Sequence, residues 1–299
     1  MGKQLEIPLL IGLILIGAAF PILGQAGRDS SLSQSTDEAT SNYRRGVALF
    51  DAGRYAESIE AFERAIRLDP RYALAYNALG VAQRNVGRYS EAIEALQQAV
   101  RIAPELAIAR YNLGVAYSNL KQYPEAIAAY QEAIRLKPDH AAAYSDLGSV
   151  YTDLGQYKEA IESLGQATRL DPHLASAFNN LGCAYSHQGA AAKAIEAFKT
   201  SLQLAPGFVL AFGNLGAEYF RRKQFNEAEQ MIREAIRLDP NLAETHYLLG
   251  KIYLALKHKG SAIEQYKKLR TLDIDLSAKL YREIFNGGII DAVRDTRLR

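Results

Sequence analysis

Proline recurs at Pro70, Pro104, Pro138, Pro172, Pro206 and Pro240, each 34 residues after the last. Glycine keeps the same step at Gly46, Gly80, Gly114, Gly148, Gly182, Gly216 and Gly250, and alanine at Ala92, Ala126, Ala160, Ala194, Ala228 and Ala262. Three residue types locked to one period make the chain a tandem array. A unit this short cannot bury its apolar side alone, so each must stack on the next. The array overrides the two-domain reading that 299 residues would otherwise suggest.

Within a unit the apolar spacing is helical. In residues 107–140, Ile108, Leu113, Val115 and Tyr117 fit one helix, and Ile127, Tyr130 and Ile134 fit a second. Pro124 suits the first turn of that second helix, while other units place Gly53, Gly87, Gly155 or Gly189 in the gap, as expected just past a helix C-terminus. A Leu-Asp-Pro or similar sequence then stops the second helix. Glu57, Glu91, Glu125, Glu159 and Glu227 open the second helices, and Arg67, Arg101, Arg135, Arg169 and Arg237 close them. Each sign complements the helix dipole by about 0.3–1 kcal/mol. The periodic glycine and alanine suit close helix approach, and Tyr117, Tyr151, Tyr185, Tyr219 and Tyr253 are expected to fill the space between hairpins.

This pattern resembles the tetratricopeptide repeat family. Leu147-Gly148, Tyr151, Tyr157, Ala160, Ala167 and Pro172 match its signature in one unit, and Leu79-Gly80, Ala92, Ala99 and Pro104 in another. Tyr76, Tyr144, Phe178 or Phe212 stands in for the signature tryptophan. The match covers seven units: 39–72, 73–106, 107–140, 141–174, 175–208, 209–242 and 243–276. The resemblance implies an all-α, right-handed superhelical solenoid whose first helices line a concave face that binds a protein or peptide. Arg45 and Ser58 in the first unit, and Ile274 in the last, depart from the pattern and read as end effects. Residues 277–299 read as a capping helix from Ser277, ended by Asn286-Gly287-Gly288, and a tail.

Two polar rows fall in phase on the first helices. One is Asn112, Asp146, Asn180 and Asn214, with Asn77 and Asn179 one residue earlier; the other is Asn85, Asn119, Asp153, His187 and Arg221. Amides donate and accept together, so such rows can pair with an extended peptide backbone or can tie adjacent repeats to each other. Tyr43, Arg84, Tyr111, Phe220 and Tyr247 are the neighbours expected to add specificity.

Other functions find little support. The 35 basic and 33 acidic residues leave a net charge of +2, without the basic field that nucleic acid demands. No phosphate loop, zincin motif or nucleophile elbow is present, so no catalytic residue, cofactor or metal is expected. Cys183 and His187 share a helix face, which allows an activated thiolate or half a metal site; the competing reading is a small buried side chain.

The first 26 residues differ from the rest. An uncharged run from Ile7 to Leu23, broken by Pro21 and followed by Gly24-Gln25-Ala26, fits either a cleaved signal peptide or an uncleaved membrane anchor. Both place the array outside the cytoplasm, periplasmic or secreted, with membrane contact only through residues 7–23. Residues 27–38 read as a flexible linker. The expectation is therefore an exported protein-binding scaffold; the alternatives are a regulatory subunit of an envelope enzyme or assembly complex, or a self-associating array.

Overall fold

The computed structural model describes residues 30–295, with side chains from 35 to 285; the expected export segment, 1–26, lies outside them. Fifteen helices and no strand occur among the described residues. Seven hairpins follow in order: α1 (Ser30–Asp51) with α2 (Tyr55–Leu68), α3 (Ala73–Asn85) with α4 (Tyr89–Ile102), α5 (Ala107–Asn119) with α6 (Tyr123–Leu136), α7 (Ala141–Asp153) with α8 (Tyr157–Leu170), α9 (Ala175–His187) with α10 (Ala191–Leu204), α11 (Val209–Arg221) with α12 (Phe225–Leu238), and α13 (Ala243–Ala255) with α14 (Lys259–Leu272). A last helix, α15 (Ile274–Asp295), closes the array. No described helix is long and apolar enough to cross a membrane.

The periodic glycines hold the first six hairpins shut. A Cβ on Gly148 would lie 2.5 Å from Leu164 Cγ and 3.1 Å from the Ala160 carbonyl oxygen; on Gly80 it would lie 2.6 Å from Leu96 Cγ. The first helix thus rests directly on a large side chain of the second, at a depth only glycine permits. The in-phase alanines Ala92, Ala126, Ala160, Ala194, Ala228 and Ala262 are all 0% exposed. Turns use the left-handed region at Gly53, Gly87, Gly155 and Gly189, and at Lys121, Lys223 and Lys257 in the same slot. Gly165 is different: it lies inside α8, and an added Cβ would meet nothing within 4 Å. Gly165→Ala should raise stability by about 0.5–1 kcal/mol through a less flexible unfolded chain, measured by urea unfolding.

First helices of successive hairpins touch one another from α1 through α15, whereas no two second helices do. A stack with one layer in mutual contact and the other splayed curves toward the contacting layer. The odd-numbered helices are therefore the inner, concave layer.

Both ends differ from the sequence expectation. Helix α1 begins at Ser30, inside the supposed linker. That stretch lacks an apolar stripe; its carbonyls at Thr36 and Glu38 accept from Thr40 Oγ1 at 3.0 Å and Asn42 Nδ2 at 2.9 Å in the turn that follows. Arg45 is exposed, as an end effect requires, but Ser58 is fully buried, its hydroxyl donating to the Tyr55 carbonyl at 2.7 Å. Helix α15 starts at Ile274 rather than Ser277, because no proline follows Asp273 and that carboxylate caps the amides of Asp275 and Leu276 at 2.9 Å each. It also runs through Gly287-Gly288. Ser277, Leu280 and Ile284 face inward, and Leu280 takes the place against Gly250 that a second-helix residue fills in the other units.

Candidate functional site

The inner layer brings the first polar row to the seams between first helices. Asn112 Nδ2 donates to Asn77 Oδ1 at 2.9 Å across α3 and α5, and Asn214 Nδ2 donates to Asn179 Oδ1 at 2.9 Å across α9 and α11. Asn179 Nδ2 also reaches Asn180 Oδ1 at 3.3 Å. Asn112 and Asn179 are buried, so these amides tie repeats together. Between α5 and α7 the polarity is reversed. Asp146 can only accept, and its partner is the Tyr111 hydroxyl, which donates at 2.9 Å. Burial pushes the Asp146 carboxyl up to about 6, against the lowering effects of the Tyr111 hydrogen bond and the Arg84 charge. Burial likewise raises the Tyr111 hydroxyl well above the usual tyrosine range. His140 tilts against Tyr111 with ring centroids 4.7 Å apart, and its Nδ1 accepts from the Ala143 amide at 3.2 Å.

The second row stands at the last residue of each first helix, on the edge of the concave face. Asn85 bonds within its own helix, to the Val81 carbonyl at 2.9 Å. Asn119 is exposed. Asp153 accepts from Tyr123 at 3.1 Å, and His187 stacks on Tyr157 with centroids 5.6 Å apart, so both meet the preceding hairpin's second helix. Only Arg221 turns toward an inner seam. It pairs with the buried Glu218, Nε to Oε2 at 3.2 Å, and with the Ser186 hydroxyl, which itself donates to Glu218 at 2.7 Å.

Glu218 escaped the sequence reading. Its signal was a charge in a slot that holds Ala82, Ala116 and Ala184 elsewhere. The network predicts an asymmetry. Glu218→Ala restores the common residue and frees a half-exposed arginine, so unfolding free energy should fall by less than about 1 kcal/mol. Arg221→Ala strands a buried carboxylate on one serine and should cost about 2 kcal/mol, read by chemical denaturation.

The Cys183–His187 pair forms no reactive couple. Cys183 accepts a 3.4 Å contact from Asn214 Nδ2, burial pushes its thiol up to about 11, and His187 is occupied by Tyr157. Among the described residues, no group of His, Cys, Asp and Glu could hold a metal ion.

Residues 24–279 match the family described as the Cilia and flagella-associated protein 70 C-terminal domain, a tetratricopeptide-repeat family. The chain belongs to that tetratricopeptide-repeat family. No curated protein sequence matches it. Solved structures share the fold of this tetratricopeptide protein. The Cut9–Hcn1 hetero-tetramer of the APC/C aligns with a TM-score of 0.69 at 21% identity over 85% of this chain, which spans only 48% of that one. A tetratricopeptide repeat protein from Parabacteroides merdae aligns at 0.67, 19% identical over 84% of this chain and 99% of that one. PilF of Pseudomonas aeruginosa aligns at 0.61, 21% identical over 71% and 97%. The array is thus a tetratricopeptide solenoid of the kind that serves protein–protein interaction.

Proposed function

We propose that this tetratricopeptide protein is a non-catalytic scaffold, outside the cytoplasm, that holds an extended segment of another protein against its inner helical layer. The observation that carries the reading is the contact pattern: one layer of first helices touching along its length, with polar and aromatic side chains recurring in phase along it. A concave surface of this kind meets a partner over many repeats, and affinity then comes from a few aromatic or charged anchors. The buried amides Asn112 and Asn179 keep the seams closed, which leaves exposed neighbours such as Asn119 to make contact.

Photo-crosslinking in the cells of origin tests this. A crosslinking amino acid at Ser118 or Thr152, on the inner layer, should capture a protein partner; one at Glu94, Glu162 or Lys199, on exposed second-helix positions, should not. Equal capture from both layers would move the site. The export component has its own test: N-terminal sequencing should find either a chain beginning near Gly27 or an intact chain in the membrane fraction. An intact chain confined to the cytoplasm overturns it.

A second reading is self-association through the C-terminal end. Helix α15 exposes Ile274 at 69%, Tyr281 at 47% and Phe285 at 38%, with the two rings 4.6 Å apart. Sedimentation of the full chain decides: an oligomer lost on Tyr281→Glu supports that reading, and a monomer at all concentrations removes it.

A further inference from the structure

We infer that the concave face over the sixth and seventh hairpins seats an acidic side chain of the bound segment, in a recess above Gly213 and Ala217 with Lys251 as its counter-charge. The inference rests on the concave-face reading and narrows it to one chemistry.

The recess arises from a missing side chain. Equivalent positions on the first helices are Tyr43, Asn77, Tyr111, Ser145, Asn179 and Tyr247, but α11 carries Gly213, where an added Cβ would meet nothing within 4 Å. One turn later α11 carries Ala217, in the slot of Val81, Val115 and Lys251. Gly213 therefore leaves open space on α11, and Ala217 adds only a methyl to it.

The wall has a distinct character. Lys251 Nζ lies 5.4 Å from the Phe220 ring centroid and 5.6 Å from that of Tyr247. Lys251 is half-buried, and no carboxylate pairs with it among the described residues. Candidate partners are engaged elsewhere: Glu283 accepts from the Tyr247 hydroxyl at 2.7 Å, and Glu218 holds Arg221. Aromatic faces replace part of the ammonium's lost hydration, but they satisfy none of its three N–H donors. A carboxylate entering over Gly213 would supply a charge-assisted hydrogen bond, and its methylene stem would lie against the rings.

The test uses the purified full chain and surface-bound decapeptides with mixed flanks and Glu, Gln or Lys fixed at the centre. The Glu set should retain the protein at least tenfold better than the Gln set. Lys251→Glu should shift retention to the Lys set, and Lys251→Gln should make Glu and Gln equivalent. Gly213→Leu, which fills open space, should bring Glu retention down to the Gln level with an unchanged or higher melting temperature. Equal retention of Glu and Gln sets by the parent chain, or an unaltered preference in Lys251→Glu, overturns this inference and leaves the concave-face reading intact. Failure of the parent chain to retain any set overturns both.

Discussion

Gly148→Val should split the unfolding of this array into two transitions and remove about 3 kcal/mol or more from its middle. The added Cβ would sit 2.5 Å from Leu164 Cγ and 3.1 Å from the Ala160 carbonyl oxygen. The leucine is 0% exposed, and the carbonyl belongs to the backbone of α8. Overpacking a well-filled core typically costs 1–3 kcal/mol, and a backbone contact places this site at or beyond the upper end. Each repeat contacts only its neighbours, so prying α7 from α8 breaks the coupling between the first three hairpins and the last three. Urea unfolding followed by circular dichroism should lose its single transition, and amide exchange should accelerate first in α7 and α8. The double variant Gly148→Val, Leu164→Ala should recover part of the loss, because the leucine is the atom group struck; the cycle should show a coupling of about 1 kcal/mol or more. A Gly148→Val chain that unfolds like the parent would mean the hairpin does not close on glycine.

The same contacts explain what the sequence could show. A period visible in proline, glycine and alanine together reflects three separate constraints: a stop, a close approach and a filled gap. Each repeats because each hairpin meets the same neighbour. Residues that break the period were legible only as anomalies. Arg45 reads correctly as an end residue since it faces water, whereas Ser58 does not, because its hydroxyl is satisfied inside the hairpin by the Tyr55 carbonyl. The start of α1 was hidden because the stretch before residue 39 offers no apolar stripe to read. The early start of α15 was hidden because it depends on the Asp273 carboxylate turning to cap the amides of Asp275 and Leu276. For the polar rows, spacing placed both on the first helices but could not say which way each side chain turns. The structure assigns Asn112 and Asn179 to the seams and Asp153 and His187 to the preceding hairpin. Glu218 and the open space at Gly213 are single-repeat features, invisible to a search for regularity.

Asp146→Asn should stabilise the protein at neutral pH by about 1–3 kcal/mol and do almost nothing at pH 4. In the fold the Asp146 carboxyl is raised to about 6, chiefly by burial, while in an unfolded chain it titrates near its ordinary value of about 3.9. The folded state therefore holds a proton that the unfolded state has already lost. Below about pH 4 both states are protonated and the aspartate carries no penalty. As pH rises through about 6 the folded state must ionise a half-buried group, and that part of its stability is lost. Asparagine removes the titration, keeps an oxygen to accept from the Tyr111 hydroxyl, and restores the residue type found at Asn112, Asn180 and Asn214. The quantity to measure is the difference in unfolding free energy between variant and parent from pH 4 to pH 7, since other carboxylates cancel in it. Glu57 and Glu132, held low by Arg54 and Arg135, are examples of groups that act in the opposite sense and drop out. The difference should grow with pH and level off above about 6; a constant difference would place the penalty elsewhere than in the carboxylate. Under the proposed scaffold role, contact with a partner would account for a charge kept at such a cost where three sister repeats use a neutral amide. Asp146→Asn should accordingly make the scaffold more stable and, in the inner-layer crosslinking assay at Thr152, less efficient at capturing that partner.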